Sequence, residues 1–326
     1  MSVAAPSEGG TGTAREGKPP VRYVCMPGSP YTGSTLLGYL LNAHPACASI
    51  GAAVGLSRKV DLATYACSCG ERFLDCPFWL RVEERTRSLG SPVTIFDNGF
   101  WNTHVNVSRR RWLNGVLIRS LGSEPLTALR DAAVWWFPPI RHRLQEARRS
   151  SWSLARAVLE VTGKEVFVDT ARDHQRPKYL AADPRLDVRV IHLVRDPRGN
   201  TSSIVGHTGV GVAEAARQWR HYNVEADRVR RSAPPGSWLR LRYEQLCADP
   251  QGTMDLICRF VGVEPVPLPR DLQAVEHHII GNSMRLRAVE TIREDRSWQQ
   301  KLSPADLRVI AGIVGPTSRR MGYDWP

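Results

Sequence analysis

Apolar residues follow two rhythms along this chain, and their alternation predicts the fold class. Residues 21–26 form a short apolar run suited to a buried strand. Residues 27–33 pack Gly, Pro and hydroxyl side chains into a tight loop. From Ser34 a hydroxyl pair able to cap a helix precedes Leu36, Leu37, Leu40 and Leu41, spaced as one helical stripe. Residues 46–50 predict a second short strand closed by Gly51, and residues 165–169 an apolar strand ending in an acid. A helix is expected over 175–182, and the cleanest strand after the first over 188–194. Another helix over 212–231 is broken at Pro234-Pro235-Gly236 before a strand at 238–242. An amphipathic helix at 254–261 and a last one at 306–319 follow. Strands alternating with helices predict an α/β fold, a parallel sheet flanked by helices on both faces. Ligands of such sheets sit beyond the carboxyl ends of the strands.

The expected organisation is a disordered leader over 1–20, small and polar in composition, and a single α/β domain over 21–326. A helical insertion at about 96–149 carries Trp101, Trp112, Trp135, Trp136 and Phe137 beside basic clusters such as Arg109, Arg110 and Arg111. An insertion of this kind serves as a lid or acceptor pocket, or as a helical layer on the sheet.

Composition narrows the classes. The chain has 326 residues, 42% of them hydrophobic, enough for a sizeable core. No apolar run reaches the roughly 18 residues of a membrane span, and no secretory pattern opens the chain. Seven cysteines are too few for a disulfide scaffold, so a cytoplasmic protein is expected. The formal net charge of +12 is carried almost wholly by Arg, the side chain suited to bidentate phosphate and sulfate recognition. Such an excess also fits nucleic acid or a plain solvated surface. No helix-turn-helix, zinc-finger or RNA-binding signature supports a nucleic-acid partner.

A strand, a Gly-rich loop and a helix N-terminus make an anion site, because unpaired N–H groups and the helix dipole face the loop. Residues 28–35 fit the spacing G-x-x-x-x-G-K-[ST], except that Ser34 replaces the Lys. Nucleotide-hydrolysing enzymes use that Lys on the outer phosphates, so a kinase or NTPase reading is disfavoured. An ordinary strand–turn–helix is the plainer alternative. Residues 65–79 hold Cys67, Cys69 and Cys76, which could bind zinc with a fourth ligand from elsewhere or form a redox pair. Their spacing is not a paired C-x-x-C and the segment contains no His. The expectation is therefore a structural turn packed by Phe78 and Trp79, without metal.

These residues carry a family likeness. The stretch PYTGSTLL, with HP shortly after it, resembles the 5′-phosphosulfate loop of sulfotransferases that use 3′-phosphoadenosine 5′-phosphosulfate (PAPS). HLVRDPRGNTSS is similar to their 3′-phosphate site, where an Arg and a Ser eight positions apart, here Arg195 and Ser203, hold that phosphate. VFVD, RLRYEQLCADP, GNSMR and DRSW agree in the same order. CSCG with CPFW resembles one bacterial branch. The likeness implies the sulfotransferase fold, PAPS as co-substrate, and sulfuryl transfer to a hydroxyl or amine of a small metabolite, lipid or sugar. It implies nucleotide binding by Tyr31, Thr32, Gly33, Ser34, Thr35, Arg195 and Ser203. His44, in the HP pair, is expected to be structural.

Two departures bear on catalysis. Relatives place Lys or Arg where this chain has Tyr31, and a phenol supplies no charge; Arg172, after VFVD, is the candidate replacement. Relatives of this branch also carry a Glu, a possible general base, where Ala52 follows Gly51. His104 and Asp97 in the insertion are the candidate bases instead. A catalytically silent nucleotide-binding member is the alternative reading.

Overall fold

The computed structural model describes residues 19–105, 123–272, 275, 277–281 and 292–324. Residues 1–18 of the leader, Arg109–Arg111, Trp112 and most of GNSMR lie outside the described residues. Five parallel strands, β1 Val21–Cys25, β2 Cys47–Ser49, β3 Val166–Asp169, β4 Leu186–Val194 and β5 Trp238–Arg242, form one sheet in the order β2-β3-β1-β4-β5. The expected parallel α/β sheet is thus the observed one. The helices are α1 Ser34–Ala43, α2 Pro77–Ser88, α3 Glu124–Trp135, α4 Pro138–Thr162, α5 Arg176–Leu180 and α6 Pro197–Thr208. They continue with α7 Val212–Arg231, α8 Tyr243–Ala248, α9 Pro250–Val261, α10 Trp298–Lys301 and α11 Pro304–Arg320.

Strand alternation divides the core between the two faces. Val24 and Met26 pack with Leu36, Leu37, Leu40 and Leu41 of α1 on one face. Tyr23, Cys25 and Phe167 meet Trp79, Trp101 and Leu154 on the other. Every one of these is buried. Residue 149, where the insertion was expected to end, falls inside the continuous helix α4. None of the described helices is long and apolar enough to cross a membrane.

Chain order reverses around β1, which lies between β3 and β4. That reversal opens a crevice at the carboxyl ends of these strands. The loop after β1 and the Arg195 segment after β4 therefore become neighbours, although more than 160 positions separate Tyr31 from Arg195.

Candidate functional site

Loop 26–33 leaves β1 and turns sharply into α1. Gly33 is the N-cap, in a left-handed conformation (φ 91°), and no side chain caps the helix. The hydroxyl pair Ser34-Thr35 is thus inside the first turn rather than capping it, a correction imposed by this backbone geometry. A Cβ at position 33 would meet the Tyr243 ring at 2.6 Å, so only Gly lets the loop pack there. The first-turn N–H groups are left facing the crevice, with no acidic side chain in that turn. Thr32 is buried and its hydroxyl donates to the Ser29 carbonyl (3.1 Å), which stiffens the loop. Tyr31 has φ 62°, the single non-Gly positive φ among the described residues. Such strain is tolerated where surroundings over-determine the backbone, and functional loops are a common place for it. The Tyr31 ring stacks on His207 of α6 (4.5 Å between centroids).

The second motif starts α6. Asp196 caps it by accepting from Arg198 N, and Pro197 opens its first turn. Arg195, just before the cap, is almost wholly buried. Its Nη1 donates to Ser203 Oγ (3.1 Å) and to the Tyr31 carbonyl (3.0 Å). Its Nη2 donates to the Asp295 carbonyl (3.1 Å) and carboxylate (3.0 Å). The guanidinium also lies over the Tyr243 ring at 4.8 Å. The predicted pair Arg195 and Ser203 is therefore in contact, and Arg195 also reaches the loop.

Two participants were not read from the sequence. Buried Asn200 accepts from Ser29 Oγ (2.9 Å) and donates to the Pro30 carbonyl (2.7 Å), bolting α6 to the loop. Asp295 comes from a distant segment. Burial would raise its carboxyl, but hydrogen bonds from Ser297 and the Arg195 guanidinium prevail and hold it down at about 2.

The third wall is the turn after β2. Ala53 N donates to Asp169 Oδ1 (2.9 Å), and the buried Asp169 also pairs with Arg176 and accepts from the Tyr23 hydroxyl (2.7 Å). Arg176 in turn donates to the Thr103 carbonyl (2.7 Å), and Thr103 Oγ1 donates to the Ala53 carbonyl (2.7 Å). This network presses residues 100–104 onto the turn 52–55. His104 lies on that strip, its Nδ1 buried without a hydrogen-bond partner. Burial lowers its pKa, against the opposing pull of Asp173, so the imidazole is neutral near pH 7. Arg172 is exposed just past β3, and Asp97 is exposed on a turn. Neither is drawn into the networks around the loop. His44 bonds the Glu264 carbonyl and Ala46 N at the end of α1. A cavity of about 430 Å³ opens between α7 and α11, but none of its lining residues belongs to the loop or to the Arg195–Ser203 pair.

A family model described as "Sulfotransferase family" matches residues 141–267, which contain β3, β4, β5 and the Arg195–Ser203 pair. Human carbohydrate sulfotransferase 3 is 28% identical over 173 residues, 44% of this chain and 35% of that protein. Human carbohydrate sulfotransferase 6 is 24% identical over 207 residues, 54% of this chain and 52% of that protein. The chain thus spans a third to a half of the length of these curated relatives. Among solved structures, the sulfotransferase domain of the Synechococcus PCC 7002 olefin synthase is 18% identical, with a TM-score of 0.47 over 95% of this chain and 98% of that one. Retinol dehydratase in complex with retinol and PAP is 13% identical, with a TM-score of 0.40 over 94% and 84%.

Proposed function

We propose, for a chain that belongs to the sulfotransferase family, that it binds PAPS across the crevice and moves the sulfuryl group to a hydroxyl of a small-molecule or sugar acceptor. The observation that carries this reading is Arg195 joined at once to Ser203 Oγ and to the loop carbonyl of Tyr31. A ligand with an anion at each end matches two anion sites in one frame. Arg195 and Ser203 would hold the 3′-phosphate by charge-assisted bonds. The N–H groups of Gly33, Ser34 and Thr35, with the two hydroxyls, would hold the 5′ end. When bound, the donor supplies an activated sulfuryl group. The protein's part is to align the acceptor, take its proton and stabilise the charge on the leaving side. His104 is our candidate base: burial lowers its pKa, and it follows Thr103, whose hydroxyl bonds the turn that carries position 52. Arg172, exposed beyond β3, is the candidate cation in place of the charge Tyr31 lacks. Asp97 stays the weaker candidate base. The names of the curated relatives support a sugar hydroxyl as acceptor.

The test is ligand-dependent thermal stabilisation followed by a transfer assay. 3′-Phosphoadenosine 5′-phosphate should raise the melting temperature more than adenosine 5′-phosphate or ATP with Mg²⁺. Labelled sulfate from PAPS should then pass to a member of a hydroxyl-acceptor panel. Stronger stabilisation by ATP with Mg²⁺ would refute the nucleotide assignment. Nucleotide binding without turnover of any acceptor would leave the silent-member reading in its place.

A further inference from the structure

The segment 65–79 was expected to be a plain turn, and its chemistry is settled by a residue two hundred positions away. Residues 65–73 form a small hairpin, with Phe73 N donating to the Tyr65 carbonyl and Gly70 (φ 94°) making its tip. Cys67 and Cys69 sit on that hairpin, and Cys76 is the N-cap of α2. The chain returns at 277–281, where Ser68 Oγ donates to the His277 carbonyl (2.7 Å) and accepts from Ile279 N (2.7 Å). Tyr65 likewise clasps Gly281 through both backbone groups. These bonds fix the backbone on each side of His278, and Phe78 stacks flat on its ring (4.2 Å, 3°).

The result is three thiols and one imidazole nitrogen, all within 4.8 Å of one another. Cys69 Sγ lies 3.7 Å from Cys76 Sγ. His278 Nδ1 lies 3.7 Å from Cys67 Sγ and 3.5 Å from Cys76 Sγ. A tetrahedral zinc with Zn–S of about 2.3 Å and Zn–N of about 2.0–2.1 Å sets its sulfurs about 3.8 Å apart and sulfur to nitrogen about 3.6 Å. The geometry points to a structural zinc site with Cys67, Cys69, Cys76 and His278 as its four ligands, reversing the metal-free expectation for this segment. Without a metal, burial raises the Cys67 and Cys76 thiols above their ordinary value, despite backbone N–H groups of Cys69, Phe78 and Trp79 near the sulfurs, so both are protonated. On binding, three thiol protons leave to solvent, and three thiolates with a neutral imidazole take up the dication, for a net charge of −1. With four protein ligands no position is left for substrate, so the role is to hold structure. Sulfur-rich tetrahedral sites favour zinc over hard cations. Exposed Cys69 gives the ion its way in.

The staple has a target. Ile280, two residues past His278, donates its N–H to the Ile50 carbonyl, and its own carbonyl packs on Gly51. The metal would therefore fix the turn that carries Ala52. This inference does not depend on the nucleotide reading.

The experiment is elemental analysis of the full chain, purified without chelators, beside cobalt substitution and thermal denaturation. About one zinc per chain is expected. Cobalt should give an intense visible d–d band with thiolate charge transfer. Cys69→Ser and His278→Ala should lose both signals, and Cys247→Ser, distant in the fold, should keep them. Ser68→Ala should keep the ligands but weaken zinc about 10–100-fold, as expected for a group that orients them. Stripping zinc should lower the melting temperature, and re-addition should restore it. The inference is overturned by a folded parent chain that stays free of zinc after exposure to it, by iron in its place, or by a mass two hydrogens light that maps to a Cys69–Cys76 disulfide. If Cys69→Ser fails to fold, the parent's stoichiometry and cobalt spectrum still decide.

Discussion

Asp295→Asn should tighten the binding of a 3′-phosphorylated nucleotide. In the structure the Asp295 carboxylate occupies an edge of the Arg195 guanidinium at 3.0 Å, where the proposed 3′-phosphate must enter. Asn keeps the oxygen that accepts from Ser297 N (3.0 Å), so the local turn survives and only the charge is removed. Asp295 is about half exposed, 48%, against 8% for Arg195, so the pair is screened and worth about 1 kcal/mol at most. Once displaced, the carboxylate would remain about 6 Å from a phosphate of charge about −2, a repulsion of roughly 1 kcal/mol in water before screening by salt. Together these give a gain of about 1–2 kcal/mol, or roughly 5–30-fold in Kd. Isothermal titration with 3′-phosphoadenosine 5′-phosphate should show that gain, shrinking as salt rises. Adenosine 5′-phosphate should bind the variant and the parent alike. An unchanged or weakened Kd for the 3′-phosphorylated ligand would refute the idea that Asp295 and the phosphate compete for Arg195.

Three further outcomes are expected. Arg195→Ala should cost roughly 1.5–3 kcal/mol of binding to 3′-phosphoadenosine 5′-phosphate and little to adenosine 5′-phosphosulfate; equal losses in a titration would move Arg195 out of the 3′ site. Ala52→Glu should raise sulfuryl transfer or donor hydrolysis, a tenfold gain being about 1.4 kcal/mol off the barrier, while His104→Ala should abolish transfer in the parent. A transfer assay in which His104→Ala is harmless would discard that base. Finally, burial, with help from Arg240, pushes His192 down to about 3, so the folded chain keeps it neutral while the unfolded chain protonates it near pH 6.5. The stability this confers is complete above about pH 6.5 and is lost as pH falls towards 3, at up to about 1.4 kcal/mol per pH unit. Denaturant midpoints measured between pH 7 and 5 should fall less steeply for His192→Gln.

What the sequence disclosed was what lies contiguous within it. The strand–loop–helix at 21–43 and the Arg195–Ser203 spacing are local, and strand pairing alone brings them together. Helix α6 shows little periodicity because its buried face carries Gly199, Asn200, Thr201 and Ser202 rather than large apolar groups. No helix was expected there, although Asp196 and Pro197 stand as its N-cap and first residue. Helix α2 opens with Pro77 inside a segment expected to be a turn, because closely spaced cysteines and a Pro suit a turn as well as a helix start. Asp295 and His278 lie far along the chain from Arg195 and Cys76, and no spacing rule joins them. The buried network of Asp169, Arg176 and Tyr23 was equally hidden, because an acid at a strand end looks the same whether it faces solvent or a guanidinium.

The bolt made by Asn200 turns the crevice into a ruler. Because one amide grips both Ser29 and Pro30, the separation between the loop and the Arg195–Ser203 pair is set by the protein before any ligand arrives. If the two proposed anion sites hold, a molecule with charges at both ends at that separation would engage the second site at the high effective concentration of a tethered partner. One whose phosphates are strung together at a single end would reach only half of it. Length, as much as charge, would then decide what this protein retains.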